Sequence, residues 1–374
     1  MAIEAGQVMA LAVPGDLETT TGGYLYDRRL AAALRARGLE VRHLRLGDSF
    51  PHPDARDMAD ALAQLGALPR DCPALVDGLA YGALDPVGVA RLVAPVVALV
   101  HHPLALEPGL SEVQAQAMAA RERANLARAR HIVVTSGHIA GLLCETYGVT
   151  SERISVARPG FVAPCVVGVP EVPPLILSVG LLARRKGHDV LLRALARIRD
   201  LEWRGVIVGR LHEPETVAAL HALRADLGLG NRVEIAGEIS QSALEALYGR
   251  ATVFALATRY EGYGIVFDEA MGHGVPIVST QAGAVPETVA PGAGILVPVE
   301  DDAAFGAALR RMLSEPALRA ACAGVGRQAA AGLGDWAVAA AVVAAALGGA
   351  SALLIADDLD QALGFAHRYA AEHL

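Results

Sequence analysis

The chain is 374 residues long, 53% apolar and only 4% aromatic, and it carries a net charge of −8. This is length for two domains with full cores, built from Ala, Val and Leu rather than from aromatic rings. A net negative chain with no block of Lys and Arg argues against a nucleic-acid surface and against any general pull toward anionic lipid.

The first residues carry Glu4 and no basic stretch, so they read as the approach to a buried strand and not as a signal peptide. From there, apolar runs of strand length alternate with segments of helical period. Strands are expected at 7–13, 41–46, 74–77, 95–100, 131–135 and 154–157, with amphipathic helices between them, such as 24–37 and 112–128. Alternation of this kind means βαβ units and a parallel sheet covered on both faces. It pauses at 158–174, where Pro159, Pro164, Pro170, Pro173 and Pro174 forbid a continuous helix and suit a linker. It then restarts, with strands at 175–180, 204–209, 232–236, 252–256, 276–279 and 294–297.

The expected fold is α/β, with one domain over residues 1–165, a second over 174–350, and a terminal piece, 351–374, that crosses back to the first. The uncharged run 336–356 has length for a bilayer, but Gly348, Gly349 and Ser351 split it into two elements, so no integral membrane segment is expected. Cys72, Cys144, Cys165 and Cys322 form no Cys-x-x-Cys pair and have no His at zinc spacing. They read as free thiols of a reducing compartment, and the chain as cytoplasmic.

Ligands of open parallel sheets sit beyond the carboxyl ends of the strands, so two facing domains share one cleft. Four strand ends carry chemistry. After the strand at 252–256 the chain turns through Glu261-Gly262-Tyr263-Gly264 into a helix containing Ile265, Val266 and Glu269. Glycines there let the backbone approach a ligand, and the free N–H groups of a helix start favour a phosphate. Eight residues of helix would separate Glu261 and Glu269 by roughly 12 Å of rise, too far for acid–base work on one bond and suited to gripping two ends of one ligand. After the strand at 175–180 come Arg184, Arg185 and Lys186, cations able to neutralise a diphosphate leaving group. Gly22-Gly23, after the first strand, opens a helix and offers backbone N–H groups to an anion. His101-His102 ends the strand at 95–100; a His pair can ligate metal, but no acidic partner stands near it at metal spacing, so no metal is assigned.

The segment Glu261-Gly-Tyr-Gly-Ile-Val-Phe-Asp-Glu269 resembles the Glu-x7-Glu signature of retaining glycosyltransferase family 4, and 274–287 resembles the donor-domain stretch that follows it there. The resemblance runs in order and spacing along nearly the whole chain. It implies the GT-B fold, two Rossmann-like domains facing each other across a cleft. It implies that Glu261 lies by the donor sugar, that Glu269 binds the ribose hydroxyls, and that the backbone of Gly262, Tyr263, Gly264, Ile265 and Val266 reaches the sugar and diphosphate. Lys186 matches the family's diphosphate-binding lysine. The arginine of that motif is replaced by Leu181; either Arg184 or Arg185 substitutes from the turn, or the phosphate grip is weaker. The Gly22-Gly23 loop is implied to face the donor phosphates and help place the acceptor. His102, with His101 as the alternate, is implied to contact the donor sugar. Thr135-Ser136 and Arg158-Pro159-Gly160 match the family less sharply.

The expected activity is transfer of a sugar from a nucleoside-diphosphate sugar to an acceptor hydroxyl, with retention, without metal or cofactor. His102, Glu261 and Lys186 form the expected catalytic set. A nucleotide-sugar-binding scaffold or a sugar-nucleotide epimerase on the same fold is the alternative. An NAD-dependent oxidoreductase is disfavoured because no Gly-x-Gly-x-x-Gly follows an expected strand.

Overall fold

The computed structural model describes residues 6–107, 109–164 and 168–348 and contains twelve strands in two parallel sheets among them. Most strands form where an apolar run has no polar face to offer water. The first sheet consists of β1 (Val8–Pro14), β2 (Glu40–Leu46), β3 (Ala74–Asp77), β4 (Val96–Val100), β5 (His131–Val134) and β6 (Ile154–Val156), in the order β2-β1-β3-β4-β5-β6. The second consists of β7 (Leu175–Val179), β8 (Arg204–Val208), β9 (Val233–Gly237), β10 (Ala251–Leu256), β11 (Ile277–Thr280) and β12 (Gly294–Val297), in the order β12-β11-β10-β7-β8-β9. Central strands β4, β7 and β10 are buried at every residue, as sheets covered on both faces require. Edge strand β2 is mostly exposed instead, with Val41 and Leu46 buried and Arg42 and Arg45 in solvent.

Strand order reverses direction between β1 and β3, and again between β7 and β10. In open parallel sheets that is where crossovers leave a crevice at the carboxyl ends. Helices close the faces. The helix Gly22–Ala36 is capped by the Thr21 side chain and buries Tyr26, Leu30 and Leu34, four residues apart, on the first sheet. Glu112–Leu126 starts with a capping box between Ser111 and Gln114. Cys72 and Cys322 are buried free thiols and Cys144 a half-buried one; Cys165 lies outside the described residues.

The helix Trp336–Gly348 departs from expectation. Counted with the second domain on sequence, it packs instead on the first sheet, burying Ala339, Ala340, Val343, Ala344 and Leu347 in one cluster with Tyr26, Leu30 and Leu34. The Trp336 ring stands edge-on to Tyr26 at 5.2 Å. Its alanines present a smooth face that lets the two helices approach closely. The crossing expected of 351–374, which lies outside the described residues, is thus already made by 336–348. Gly160 belongs to the same joint, since a Cβ there would collide with the Trp336 backbone. Among the described residues, no single helix is long and apolar enough to cross a membrane. Pro316–Ala331 and Trp336–Gly348 pass such a test only as a pair bent by 47°.

Trp336→Ala should lower stability by roughly 3–5 kcal/mol, the usual cost of emptying an aromatic site. Thermal denaturation measures it, and a melting temperature equal to wild type would contradict this packing.

Candidate active site

The carboxyl ends of the two sheets meet. On the second-domain side, β7 leaves through Gly180 into the short turn Arg184–Lys186. Gly187 follows with φ +64°, and a Cβ on it would collide with the carbonyl of Ala257 at the end of β10. This contact presses the two turns together, and hydrogen bonds then join them. The Arg185 carbonyl accepts from the Arg259 N–H at 2.8 Å and from the Thr258 hydroxyl at 3.2 Å, while the Arg185 guanidinium donates to the Tyr260 carbonyl at 3.0 Å. Arg259 in turn donates to both Asp189 oxygens, at 2.9 and 3.0 Å, and pairs with Glu300.

At the centre, Lys186 Nζ donates to Glu261 Oε1 at 2.6 Å. Lys186 is the only lysine in the chain. Burial depresses its pKa, and Glu261 restores part of the loss. Burial also pushes the Glu261 carboxyl up, but Lys186 and Arg185 outweigh it and leave its pKa below the ordinary value. Glu261 is therefore ionised at neutral pH, and its carboxylate favours the charged form of Lys186. Arg184 points to solvent, with its N–H on Glu213 at 3.0 Å.

Gly264, at φ +94°, caps the helix Ile265–Gly272. Gly262 has no room for a Cβ against the His101 carbonyl of the first domain. The Tyr263 side chain turns inward and donates to Asp268 at 2.8 Å, so only its backbone belongs to the turn. Ile265 reaches across to the first core, and the Val266 carbonyl accepts from Tyr248. Glu269 accepts from the Tyr248 hydroxyl at 3.0 Å, with burial pushing its pKa up. Glu261 and Glu269 thus have separate partners and do not act on each other.

On the first-domain side, Gly22 and Gly23 open their helix beside His101, whose ring is 3.6 Å from where a Gly23 Cβ would be. The His102 ring packs against Tyr260 of the second domain, tilted by 49° with centroids 4.7 Å apart. Both of its ring nitrogens are buried without a hydrogen-bond partner; Glu107 lies 3.4 Å from Nε2 in poor geometry. Burial, with Arg185 adding to it, holds its pKa at about 3, so the ring is neutral.

His101 is different, and here the sequence reading needs correction. Acidic partners absent at metal spacing along the chain are supplied in space by Asp27 and Asp77. His101 Nε2 lies 3.0 Å from Asp27 Oδ1 and 3.8 Å from Asp77 Oδ2. The donor atoms of the three residues all fall within 4.8 Å of one another, so this group has the composition to hold a cation. A shared proton satisfies the same geometry. Burial and the neighbouring Asp27 push Asp77 up to about 8, and Asp27 raises His101 against the effect of burial. Neither aspartate belongs to a motif; the signal was only that each stands near a glycine turn, at Gly22-Gly23 and at Gly78.

Ser136, Arg158 and Glu287 form a latch between the domains, with Thr135 buried beside it in the chain. The Ser136 hydroxyl donates to the Gly262 carbonyl at 2.6 Å. Glu287 accepts from the Gly137 and His138 N–H groups at 3.0 and 2.8 Å, at the start of the helix Gly137–Tyr147, and from Arg158 at 2.9 Å. Negative charge at that helix start is favoured by its free N–H groups.

Comparison with known proteins agrees with this fold. Residues 166–329 match the family model described as glycosyl transferases group 1. The chain has the GT-B fold, and its second domain is similar to that family. It is 30% identical over 253 residues to the D-inositol 3-phosphate glycosyltransferase 1 of Catenulispora acidiphila, covering 62% of this chain and spanning 60% of that protein's length. Among solved GT-B structures, a sucrose-phosphate synthase from Thermosynechococcus elongatus superposes with a TM-score of 0.76 at 22% identity, over 98% of this chain and 100% of that one. Anabaena HepE, solved with UDP and glucose, gives a TM-score of 0.73 at 17% identity, over 91% and 99%.

Two outcomes follow for this GT-B chain. Unfolded, Asp77 ionises near its ordinary 3.8, whereas folded it keeps its proton to about 8. Between those values the native state binds more protons, so stability falls as pH rises. Asp77→Asn should flatten that fall in melting temperature against pH; parallel curves for variant and wild type would disprove it. Glu287→Gln should open the cleft, seen as a larger radius of gyration by small-angle scattering, and an unchanged radius would count against the latch.

Proposed function

We propose that the chain is a retaining glycosyltransferase that binds a nucleoside-diphosphate sugar mainly on its second domain. The observation that carries the reading is the chain's sole lysine, buried and paired with Glu261 at the β7–β10 switch point, opposite the Gly22-Gly23 turn. Lys186 and the helix start after Gly264 neutralise the diphosphate, and Glu269 takes the ribose hydroxyls. Glu261 takes the sugar. The unpartnered nitrogens of His102 are filled by a sugar hydroxyl; a neutral imidazole offers one donor and one acceptor there. Relatives support a nucleotide sugar as donor, since one is named a glycosyltransferase and another was solved with UDP and glucose.

In the reaction, the acceptor oxygen bonds to the anomeric carbon on the face from which the diphosphate leaves. The bond from that carbon to the diphosphate oxygen breaks, and the acceptor's proton passes to the departing phosphate. Configuration is retained, and the products are the glycoside and a nucleoside diphosphate. Fixed positive charge is worth most as the leaving group develops its own charge. Closure of the two domains excludes water and orients the acceptor hydroxyl.

Purified protein incubated with UDP-, GDP- and ADP-sugars should release the nucleoside diphosphate from one of them, slowly by hydrolysis, and Lys186→Ala should abolish it. Release by the variant at the wild-type rate would sink the assignment. Acylation of Lys186, followed by peptide mapping, should be suppressed by that same nucleoside diphosphate. Equal labelling with and without nucleotide would place the phosphates elsewhere.

A further inference from the structure

We infer that Arg210, at the carboxyl end of β8, is a second cation of the diphosphate site. The inference rests on the nucleotide-sugar reading above and adds to it a residue that no sequence motif singles out.

The cations of the 184–186 turn are committed elsewhere. Arg184 is exposed, Arg185 is bonded to the Tyr260 carbonyl and lies 3.9 Å from Glu261, and Lys186 is paired with Glu261. Lys186 and Arg185 share the Glu261 charge and Arg184 lies in solvent, so the positive charge left inside the site falls short of a diphosphate, which carries at least two negative charges. Arg210 stands beside it. Gly209 has no Cβ and so lies directly against the Gly180 carbonyl. The Leu182 N–H donates to the Arg210 carbonyl at 3.0 Å, and Leu182 and Leu211 form a parallel bridge. The Lys186 stem packs on the other side of Gly180, 3.2 Å from where a Cβ would be. Lys186 and Arg210 therefore both adjoin one pair of glycines, whose lack of side chains lets the two strand ends touch and brings the two residues to the same edge of the sheet.

Arg210 is also unoccupied. It is half-buried, its Nε is buried without an acceptor, and no described residue forms a hydrogen bond or ion pair with its guanidinium. An Nε–H withheld from water without an acceptor is costly unless a ligand supplies one, and the terminal nitrogens stay open to the cleft. Across the cleft it acts electrostatically on the Tyr24 phenol, next to Gly22-Gly23, so it faces the same gap from the opposite wall. Its planar fork matches two phosphate oxygens, which an ammonium cannot do. It also stands on the strand beside Leu181, where the motif that Lys186 completes lacks its arginine.

The test is calorimetric titration of wild type, Arg210→Gln and Arg210→Lys with UDP, GDP and ADP, and with uridine, guanosine and adenosine. Because the guanidinium has no protein partner, Arg210→Gln should melt at the wild-type temperature. It should bind the preferred nucleoside diphosphate about 10- to 100-fold more weakly, the range for lost charge-assisted hydrogen bonds, with the nucleoside bound as before. Arg210→Lys should recover part of the loss. Diphosphate binding within twofold of wild type by Arg210→Gln overturns the inference while leaving the glycosyltransferase reading intact. Equal weakening for nucleoside and diphosphate overturns it too, because the effect would then be structural. Failure of wild type to bind any of the three diphosphates overturns both.

Discussion

The buried pair between Lys186 and Glu261 is the constraint on which the site depends. Each charge leaves water, and their attraction offsets that cost only because they meet at 2.6 Å with polar neighbours on hand. The pair ties the turn after β7 to the turn after β10, two strands adjacent in the sheet but 75 residues apart along the chain. Backbone contacts hold Glu261 from behind: the Ala284 N–H donates to its carbonyl at 2.9 Å, and Gly283 has no room for a Cβ against it. Replacing such a pair with apolar side chains is often neutral or stabilising, so its presence is weak evidence for stability. Its place at a switch point, where parallel sheets bind their ligands, fits a lysine held ready for an arriving anion.

The second constraint is the way the domains are joined. The chain crosses between them twice, outward through 158–174 and back into Trp336–Gly348, and Gly160 lets both crossings touch. Two crossings at one place restrict relative movement to rotation about that joint. At the strand ends the hydrogen bonds of the latch, Ser136 to Gly262 and Glu287 to the start of the Gly137–Tyr147 helix, stand beside the ring contact of His102 with Tyr260. A large apolar core on the joint side and a small polar latch on the cleft side suit a cleft that opens for substrate.

The acidic cluster under Gly22-Gly23 lies on the wall opposite the cations. Asp27 is fully buried and Asp77 nearly so. Two carboxylates at such a distance cannot both ionise cheaply, and the proton kept by Asp77 is the physical consequence. His101, oriented by Asp27 and set against Gly23, gains a fixed ring position. His102, one residue on, faces the other domain and stays neutral. Adjacent histidines therefore have opposite electrostatic surroundings, because successive residues leaving a strand point to opposite sides.

Much of the fold was legible in the sequence, since burial on both faces demands unbroken apolar runs and the turns between them demand glycine, proline and capping residues. All twelve strands, the switch to a second sheet near Pro174, and the turns bearing Lys186, Glu261 and Gly22-Gly23 follow from that local grammar. Glu269 and the helix start after Gly264 were legible for the same reason. Tertiary structure alone decided which distant residues meet. Asp27 and Asp77 reach His101 from two other strand–helix turns. Arg210 stands beside Leu181 only because β8 pairs with β7 in one register. Trp336–Gly348 belongs to the first core because its alanines fit the Gly22–Ala36 helix. Periodicity records what a segment needs to bury; it carries no information about which partner, tens or hundreds of residues away, will bury it.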